Sequence, residues 1–422
     1  MKRQKGFALL FTMLVTSLII FIIGAIFLIS SNDLSAAYST CNAIRAHQIA
    51  EAGLAKKFMD LREGNTGSTS GTFTLASGLS GTYSVTASQI QGGIFPIYRL
   101  YSTGIYKGMS KSVSLTLRQI SCARFGYLSN NEDLLYWWGL RPIWFITGDV
   151  LNGPFHSNDQ LNISGDPTFN GPVSSTDPEI NYYHGGPPED DPDFMGSLTL
   201  GAPSISLPTS MDLITPLKTA AQQTGGLYLT GNSIVTLLSD GTINVTNFNN
   251  SWVNYNVPLP TNNALFVNDG YVDISGVLNG QLTVGTNNNI YVVNNILYAN
   301  DPETNPASTD MLALVSQNNV YVDSSAPFNI EIDAYIVALN SSFAVADYTF
   351  GLKGTLTILG GITQKRRGPI GTFNATTGDR ISGYTKDYNY DERLAFAAPV
   401  YFPPSRDSNG RIVYLKVLWE EY

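Results

Sequence analysis

The chain has 422 residues and a net charge of −9, with 14% charged residues against 43% hydrophobic ones. An excess of Asp and Glu (33) over Lys and Arg (24) argues against a nucleic-acid-binding protein, which needs a basic face to displace counterions, and against a polybasic membrane-surface binder. Two cysteines and three histidines exclude a disulfide-dense scaffold and a Cys/His zinc domain, while 39 Gly, 21 Pro and 23 Tyr point to a turn-rich β protein.

The N-terminus carries the strongest signal. Lys2, Arg3 and Lys5 precede residues 7–30, which hold no charge. At the helical rise that stretch spans about 36 Å, enough for the roughly 30 Å hydrocarbon core of a bilayer. The flanking positive charges keep the start in the cytoplasm and send the rest across, a single pass. A secretory signal peptide needs a shorter apolar region and a small-residue cleavage site, which Ile26, Phe27, Leu28 and Ile29 do not lead into. A plain signal anchor stays open. The helix is expected to continue through residues 33–63, with Leu34, Ala37, Cys41, Ile44, Ala52, Ala55 and Met59 on one apolar face, Glu51 as a solvated helix-face charge and His47 as an exposed or packed polar residue. Gly64 to Gly67 should end it.

Lys5-Gly6-Phe7 followed directly by this apolar run resembles the class III signal of type IV prepilins. The resemblance implies cleavage by a prepilin peptidase between Gly6 and Phe7, N-methylation of Phe7, and retention of the helix. It would serve first as an anchor in the bacterial inner (cytoplasmic) membrane, then as a packed core among other pilin or pseudopilin subunits. Most pilins carry Glu at the fifth mature position, where this chain has Phe11. In that it is similar to PilX-type minor pilins and to the tip pseudopilin of type II secretion, and the segment Ala50-Glu51-Ala52-Gly53-Leu54 resembles one common in PilX-type and related prepilins. The implied role is a minor or tip subunit of a pilus or pseudopilus machine.

After the helix, short strands are expected at 71–75, 81–87, 97–104 and 112–118, the last two joined by a turn at 105–108. A long helix followed by an antiparallel sheet is the pilin arrangement. A bond between Cys41 and Cys122 is chemically permitted outside the cytoplasm, provided the two approach each other. Trp137, Trp138, Trp144 and Phe145 form an aromatic cluster, read as the apolar cap of a domain core rather than a sugar platform. From Phe145 onward, short apolar runs recur between Gly, Asn and Asp. Their near-continuous apolarity, as in 330–339, and the Asn-rich turns at 287–289, 294–295 and 318–319 favour a β-solenoid, with a β-sandwich as the alternative. The fold class is therefore mainly β with one long N-terminal helix, divided into a leader (1–6), a helix (7–63), an antiparallel sheet (64–122) and a β-rich exported domain (123–422). Residues 145–159, 359–371 and 383–394 resemble, in scattered blocks, an uncharacterised domain called DUF4900 that is found behind prepilin N-termini. That resemblance implies an architecture and no chemistry.

No catalytic or cofactor site is expected. His156, Ser157 and Asp159 are triad residue types, but neighbours in an extended loop do not converge. The acidic runs at 187–193 and 301–306 lack the EF-hand pattern and read as solvated loops. Lys365, Arg366 and Arg367 read as a solvated basic turn, and Arg380, Asp387, Asp391 and Arg393 as ion pairs that fix the C-terminal segment. Asp323, Glu331 and Asp333 are the tightest acidic cluster, with Glu331 and Asp333 pointing outward. They would matter to a polysaccharide-active solenoid enzyme, which needs two carboxylates at close range. The function expected is adhesion or assembly initiation by the exported domain, toward a surface glycan or protein ligand and not nucleic acid. A membrane-anchored, non-catalytic surface adhesin is the alternative.

Overall fold

The computed structural model describes residues 4–74, 78–91, 95–136, 139–374 and 376–422. Leu75, at the end of the first expected strand, lies outside them, as do Lys2, Arg3, Trp137 and Trp138. The chain divides into two units. One comprises Met1–Gln91, Ile97–Arg118 and Lys416–Tyr422, the other Gly92–Pro96 and Gln119–Leu415.

The first unit is built on helix α1, Gln4–Arg62. Its apolar first half touches nothing, and Phe7 and Phe21 are both 76% exposed. The few hydroxyls there are satisfied within the helix, Thr12 donating to Leu9 O (2.9 Å), Thr16 to Thr12 O (2.8 Å) and Ser17 to Leu14 O (2.9 Å). That self-satisfaction is what an apolar solvent demands of a polar side chain.

The second half of α1 packs on a five-stranded sheet formed by Thr69–Thr74, Ser80–Gln91, Ile97–Tyr106, Met109–Gln119 and the C-terminal Tyr414–Glu421. The first four strands form antiparallel hairpins. The turn occupies only Lys107 and Gly108, both at positive φ, the two-residue geometry that matches strand twist. The buried face of α1 is Ala46, Ile49, Ala50, Gly53, Leu54, Lys57 and Leu61. This corrects the expected face, since Leu34, Ile44 and Met59 are exposed. The reason is distance. A Cβ on Gly104 of the sheet would lie 2.2 Å from Ala46 O and 2.4 Å from Ala50 N, so helix and strand meet backbone to backbone over small residues. Ser102 Oγ donates to Ala50 O at 2.7 Å in the same contact.

In the second unit, most strands pair in parallel with a strand farther along the chain, while a few consecutive pairs, such as Ser233–Leu237 with Thr242–Asn247, are antiparallel. One ladder aligns Leu227, Leu265, Val284, Leu314, Ile336, Ile362, Tyr127, Phe155, Val173 and Leu198. A second aligns Ile296, Ile332, Ile358, Tyr388, Leu151, Phe169 and Phe194. A third aligns Val235, Ile274, Val292, Val322 and Val345. Apart from Leu198, which is exposed at the end of its column, and Leu227 and Phe194, which are half-buried, the columns bury their side chains in one continuous apolar core, which explains the long apolar runs that sequence periodicity alone could not assign. Beside the first column runs a buried row of mostly hydroxyl-bearing residues, Thr286, Ser316, Ser129, Ser157 and Ser175, with Ala338 and Gln364 between Ser316 and Ser129. Their hydroxyls cap the adjoining turns, as where Ser316 donates to Asn288 O (2.6 Å) and accepts from Asn318 N (3.0 Å).

Order along the ladders is not order along the chain. Residues 127–199 stack on 352–390, while 227–258 lie at the far end of the stack. The ladders therefore contain a seam at which residues more than two hundred positions apart become neighbours.

Candidate functional site

Two places concentrate what the sequence singled out. The first is the start of α1. Gly6 and Phe7 fall in its first turns, with Phe7 exposed, and Phe11 is exposed one helical turn on. His47 and Glu51 lie 3.6 Å apart at i, i+4, and His47, half-buried, is also 3.6 Å from Glu421 of the C-terminal strand, so Glu51 is not simply solvated.

The second place is the seam, where Arg367 leaves strand Leu352–Gln364 through a turn and enters the core at 2% exposure. Its Nη1 donates to Glu132 Oε2 (3.1 Å) and Ile143 O (3.1 Å), and its Nη2 donates to Trp144 O (3.0 Å). The guanidinium lies 3.4 Å from the Phe145 ring centroid. The other oxygen of Glu132 accepts from Tyr127 Oη (3.2 Å), Ser157 Oγ (3.2 Å) and Ser129 Oγ. Burial first, and then the Glu132 charge, push the Tyr127 phenol well above its ordinary pKa. A second buried pair joins Lys386 to Asp149, which also accepts from Ile146 N at 3.0 Å. Burial lowers the Lys386 pKa and the Asp149 carboxylate works against that shift. The basic run is thus no solvated turn. Arg367 is buried, Arg366 pairs with Asp133, and Lys365 alone stays in solvent.

His156, Ser157 and Asp159 come to the same seam without forming a triad. His156 Nδ1 meets Ser174 Oγ (2.8 Å) and its Nε2 meets Asn158 Oδ1 (3.0 Å), while Asp159 Oδ2 accepts from Glu132 N (2.9 Å). Burial lowers the His156 pKa. Farther along, Asp391 accepts from Arg393 through both oxygens (2.9 and 2.6 Å), and Arg393 also donates to Ser308 O (3.0 Å). Arg380 turns instead to backbone carbonyls, Lys353 O at 2.8 Å and Gly383 O, and Asp387 Oδ2 accepts from Thr357 at 3.5 Å.

The acidic runs divide. In 187–193, Asp190 is fully buried, not solvated. Burial opposes its charge, but hydrogen bonds from Gly165 N (2.8 Å), His184 and Gly186 outweigh it and hold the pKa below its ordinary value. In the other cluster Glu331 is exposed as expected, whereas Asp333 is 3% exposed, accepts from Tyr298 N at 2.8 Å and leaves Oδ1 without a partner. Burial raises the Asp333 pKa to about 7, and burial with the Asp323 charge raises Asp273 to about 6. Among the described residues no group of three His, Cys, Asp or Glu is placed to hold a metal.

Cys41 and Cys122 are both free thiols. Cys41 is exposed on α1, while Cys122 is enclosed in an apolar cluster with Leu213, Tyr335 and Phe402, where burial pushes its pKa up to about 12. The aromatic cluster divides as well. Phe145 enters the core against Phe155 and Phe169, but Trp144 stands edge-on to Tyr183 at 5.0 Å and lines a cleft of about 480 Å³ beside the seam. Glu132, Asp149 and Lys386 escaped the sequence reading. Glu132 stands between Asn131 and Asp133 and Lys386 between Thr385 and Asp387, so their local sequence carried no signal of burial.

A family model described as "Domain of unknown function (DUF4900)" matches residues 97–177. The match takes in Tyr127, Glu132, Asp149 and His156 on one side of the seam and stops before the blocks at 359–371 and 383–394 on the other. Among solved structures, the crystal structure of competence-associated pilin ComZ from Thermus thermophilus aligns at 12% identity over 90% of this chain and 98% of that one, with a TM-score of 0.34. No curated protein matches the chain.

Proposed function

We propose that this chain is a minor or tip subunit of a type IV pilus-type or pseudopilus machine. The observation that carries the reading is the uncharged, unpartnered first half of α1 set directly behind Gly6 and Phe7. A helix apolar all round is stable only in lipid or among other apolar helices, and the prepilin pathway provides both in turn. In this reading the start of the chain faces the cytoplasm, prepilin peptidase cleaves between Gly6 and Phe7, and Phe7 is N-methylated. Residues 7–30 then anchor the protein in the inner membrane until it joins other subunits. Phe11 in place of an acidic residue suits a subunit with no neighbour to pair with above it. The second unit, its parallel ladders read as the coils of a β-solenoid, is the exported head that meets a surface or starts assembly.

The test is mass spectrometry of the mature N-terminus with and without prepilin peptidase. A methylated peptide starting at Phe7 supports the reading. An intact Met1 start would overturn it in favour of a membrane-anchored surface adhesin. Recovery in purified filaments at the abundance of the main subunit would count against a minor role.

A further inference from the structure

We propose that the polar cleft along the corners at Asn152 and Asn170 binds a linear, uncharged glycan. This deepens the surface-contact part of the reading above and rests on it for where such a glycan would be met.

The cleft, at about 560 Å³, has the size of a small-ligand site. Three side-chain amides line it on neighbouring strands. Asn170 Nδ2 donates to Asn152 Oδ1 (2.6 Å), and Asn152 Nδ2 donates to Asn389 Oδ1 (2.5 Å). Each link uses one hydrogen of one amide and one lone pair of the next, so every amide keeps bonding capacity to spare. Neighbouring strands lie about 4.8 Å apart, close to the length of one sugar in an extended β-1,4 chain. Three sugars laid along the ladder would therefore meet one amide each. Pro154 and Pro172, in the same lining, add flat apolar rings against which the C–H faces of a pyranose pack. The corners are rigid before any ligand arrives, since a Cβ on Gly171 would lie 2.1 Å from Gly153 O and backbone meets backbone there.

The charges in the cleft select a ligand that has none. Arg124 lines it, half-buried, with its guanidinium 4.5 Å from the Phe125 ring centroid. Among the described residues this guanidinium donates no hydrogen bond and joins no ion pair, so its N–H donors are left for a ligand. Burial lowers the Arg124 pKa, and the Tyr390 phenol works against that shift. Glu303 and Glu392 stand exposed in the same lining, and neither is ion-paired among the described residues. A polyanion would meet two carboxylates there, and a polycation would meet the guanidinium. Sugar hydroxyls suit all of these groups at once, because each hydroxyl can donate to a carboxylate and accept from a guanidinium or an amide.

The experiment is calorimetric titration of the full-length chain, in a detergent without a sugar headgroup, with cellotriose (straight and neutral), maltotriose (neutral but bent), trigalacturonate (acidic) and the zwitterion triglycine. Cellotriose is expected to bind at least about fivefold more tightly than each of the others. Arg124→Met removes the donors but keeps an apolar stem over Phe125, and should weaken cellotriose by about tenfold. Asn170→Ala removes the exposed end of the ladder and should weaken it by about threefold to fivefold. Phe248→Ala, at a residue 76% exposed and outside the cleft, should change nothing. Asn170→Ala alters an exposed side chain, so it keeps the test decisive if Arg124→Met fails to fold. No binding of cellotriose, equal or tighter binding of any other probe, or full affinity in the folded variants would each overturn the proposal. The titration does not depend on how the N-terminus is processed, so its failure and that of the subunit reading are separable.

Discussion

Removing one partner of the Glu132–Arg367 pair should weaken the second unit more than any other single change at the seam. Glu132 is fully buried and Arg367 nearly so, and they meet at 3.1 Å. Glu132→Ala strands a guanidinium in the core and leaves Tyr127, Ser129 and Ser157 without their acceptor. Breaking a buried pair in this way costs about 3–5 kcal/mol. A folding unit of about 300 residues has an unfolding entropy near ~0.6 kcal/mol/K, so ~4 kcal/mol lowers its melting temperature by about 6 °C. Scanning calorimetry of the full chain would read this. The double variant Glu132→Gln/Arg367→Met removes both charges, keeps an acceptor for the three hydroxyls and leaves an apolar stem over Phe145. It should recover most of the loss. If Glu132→Ala cost less than about 1 kcal/mol, or the double variant were as unstable as the sum of its single changes, the claim that charge pairing locks the seam would fail.

Three further outcomes are expected. Gly104→Ala would drive a methyl group into the α1 backbone and should cost at least the ~1–3 kcal/mol of overpacking, seen as faster amide exchange across residues 46–61. Ser316→Ala would leave Asn288 O and Asn318 N only the long 3.4 Å bond they make to each other and should cost about 0.5–1.5 kcal/mol by urea unfolding. Asp333 is an acid whose folded pKa, about 7, lies above its unfolded one, so its penalty is absent at pH 3, grows through pH 4–7 and is complete above pH 7. Asp333→Asn should accordingly stabilise the protein at pH 8, by up to ~4 kcal/mol, and leave it unchanged at pH 3. Equal effects at both pH values would show that the carboxylate is not the cause.

The long helix, its stop at Gly64 and the first sheet were legible because each rests on local signals: charge-free length, a Gly-rich stop and alternating strands. The buried face of α1 was not. Hydrophobicity points to Leu34, Ile44 and Met59, but what selects the face is how closely a strand can approach, which favours Ala46, Ala50 and Gly53. The basic run 365–367 misled for a related reason. Charge implies solvent unless the partner is known, and the partner, Glu132, lies 235 residues away. A short repeat also passed unnoticed. Asn152-Gly153-Pro154 and Asn170-Gly171-Pro172 occupy equivalent corners, where Asn170 Nδ2 donates to Asn152 Oδ1 at 2.6 Å and a Cβ on Gly171 would lie 2.1 Å from Gly153 O. Two copies eighteen residues apart are too few to stand out in a sequence.

The rotated chain order has a physical consequence for the head. Because the seam lies inside the stack, the entering and leaving segments of the second unit meet there, Ser405 N donating to Ile120 O at 2.7 Å. Both ends of the stack are consequently formed by internal segments. A parallel ladder with open ends is a template for adding further strands, so each end needs blunting. At one end the last ladder strand, Leu198–Thr199, is two residues long. At the other, Ser233–Leu237, Thr242–Asn247 and Trp252–Pro258 turn antiparallel, with a register shift between Val245 and Asn247, Asn254 at φ 45° and a closing Pro258. A bulge and a proline deny an incoming strand a flat, fully bonded edge. Closing the seam costs about 5 kcal/mol of loop entropy for a separation of 235 residues. The Glu132–Arg367 and Asp149–Lys386 pairs sit where that cost falls. They reward the one register that aligns Tyr127 with Ile362, and a slip of one residue would leave four charges buried without partners.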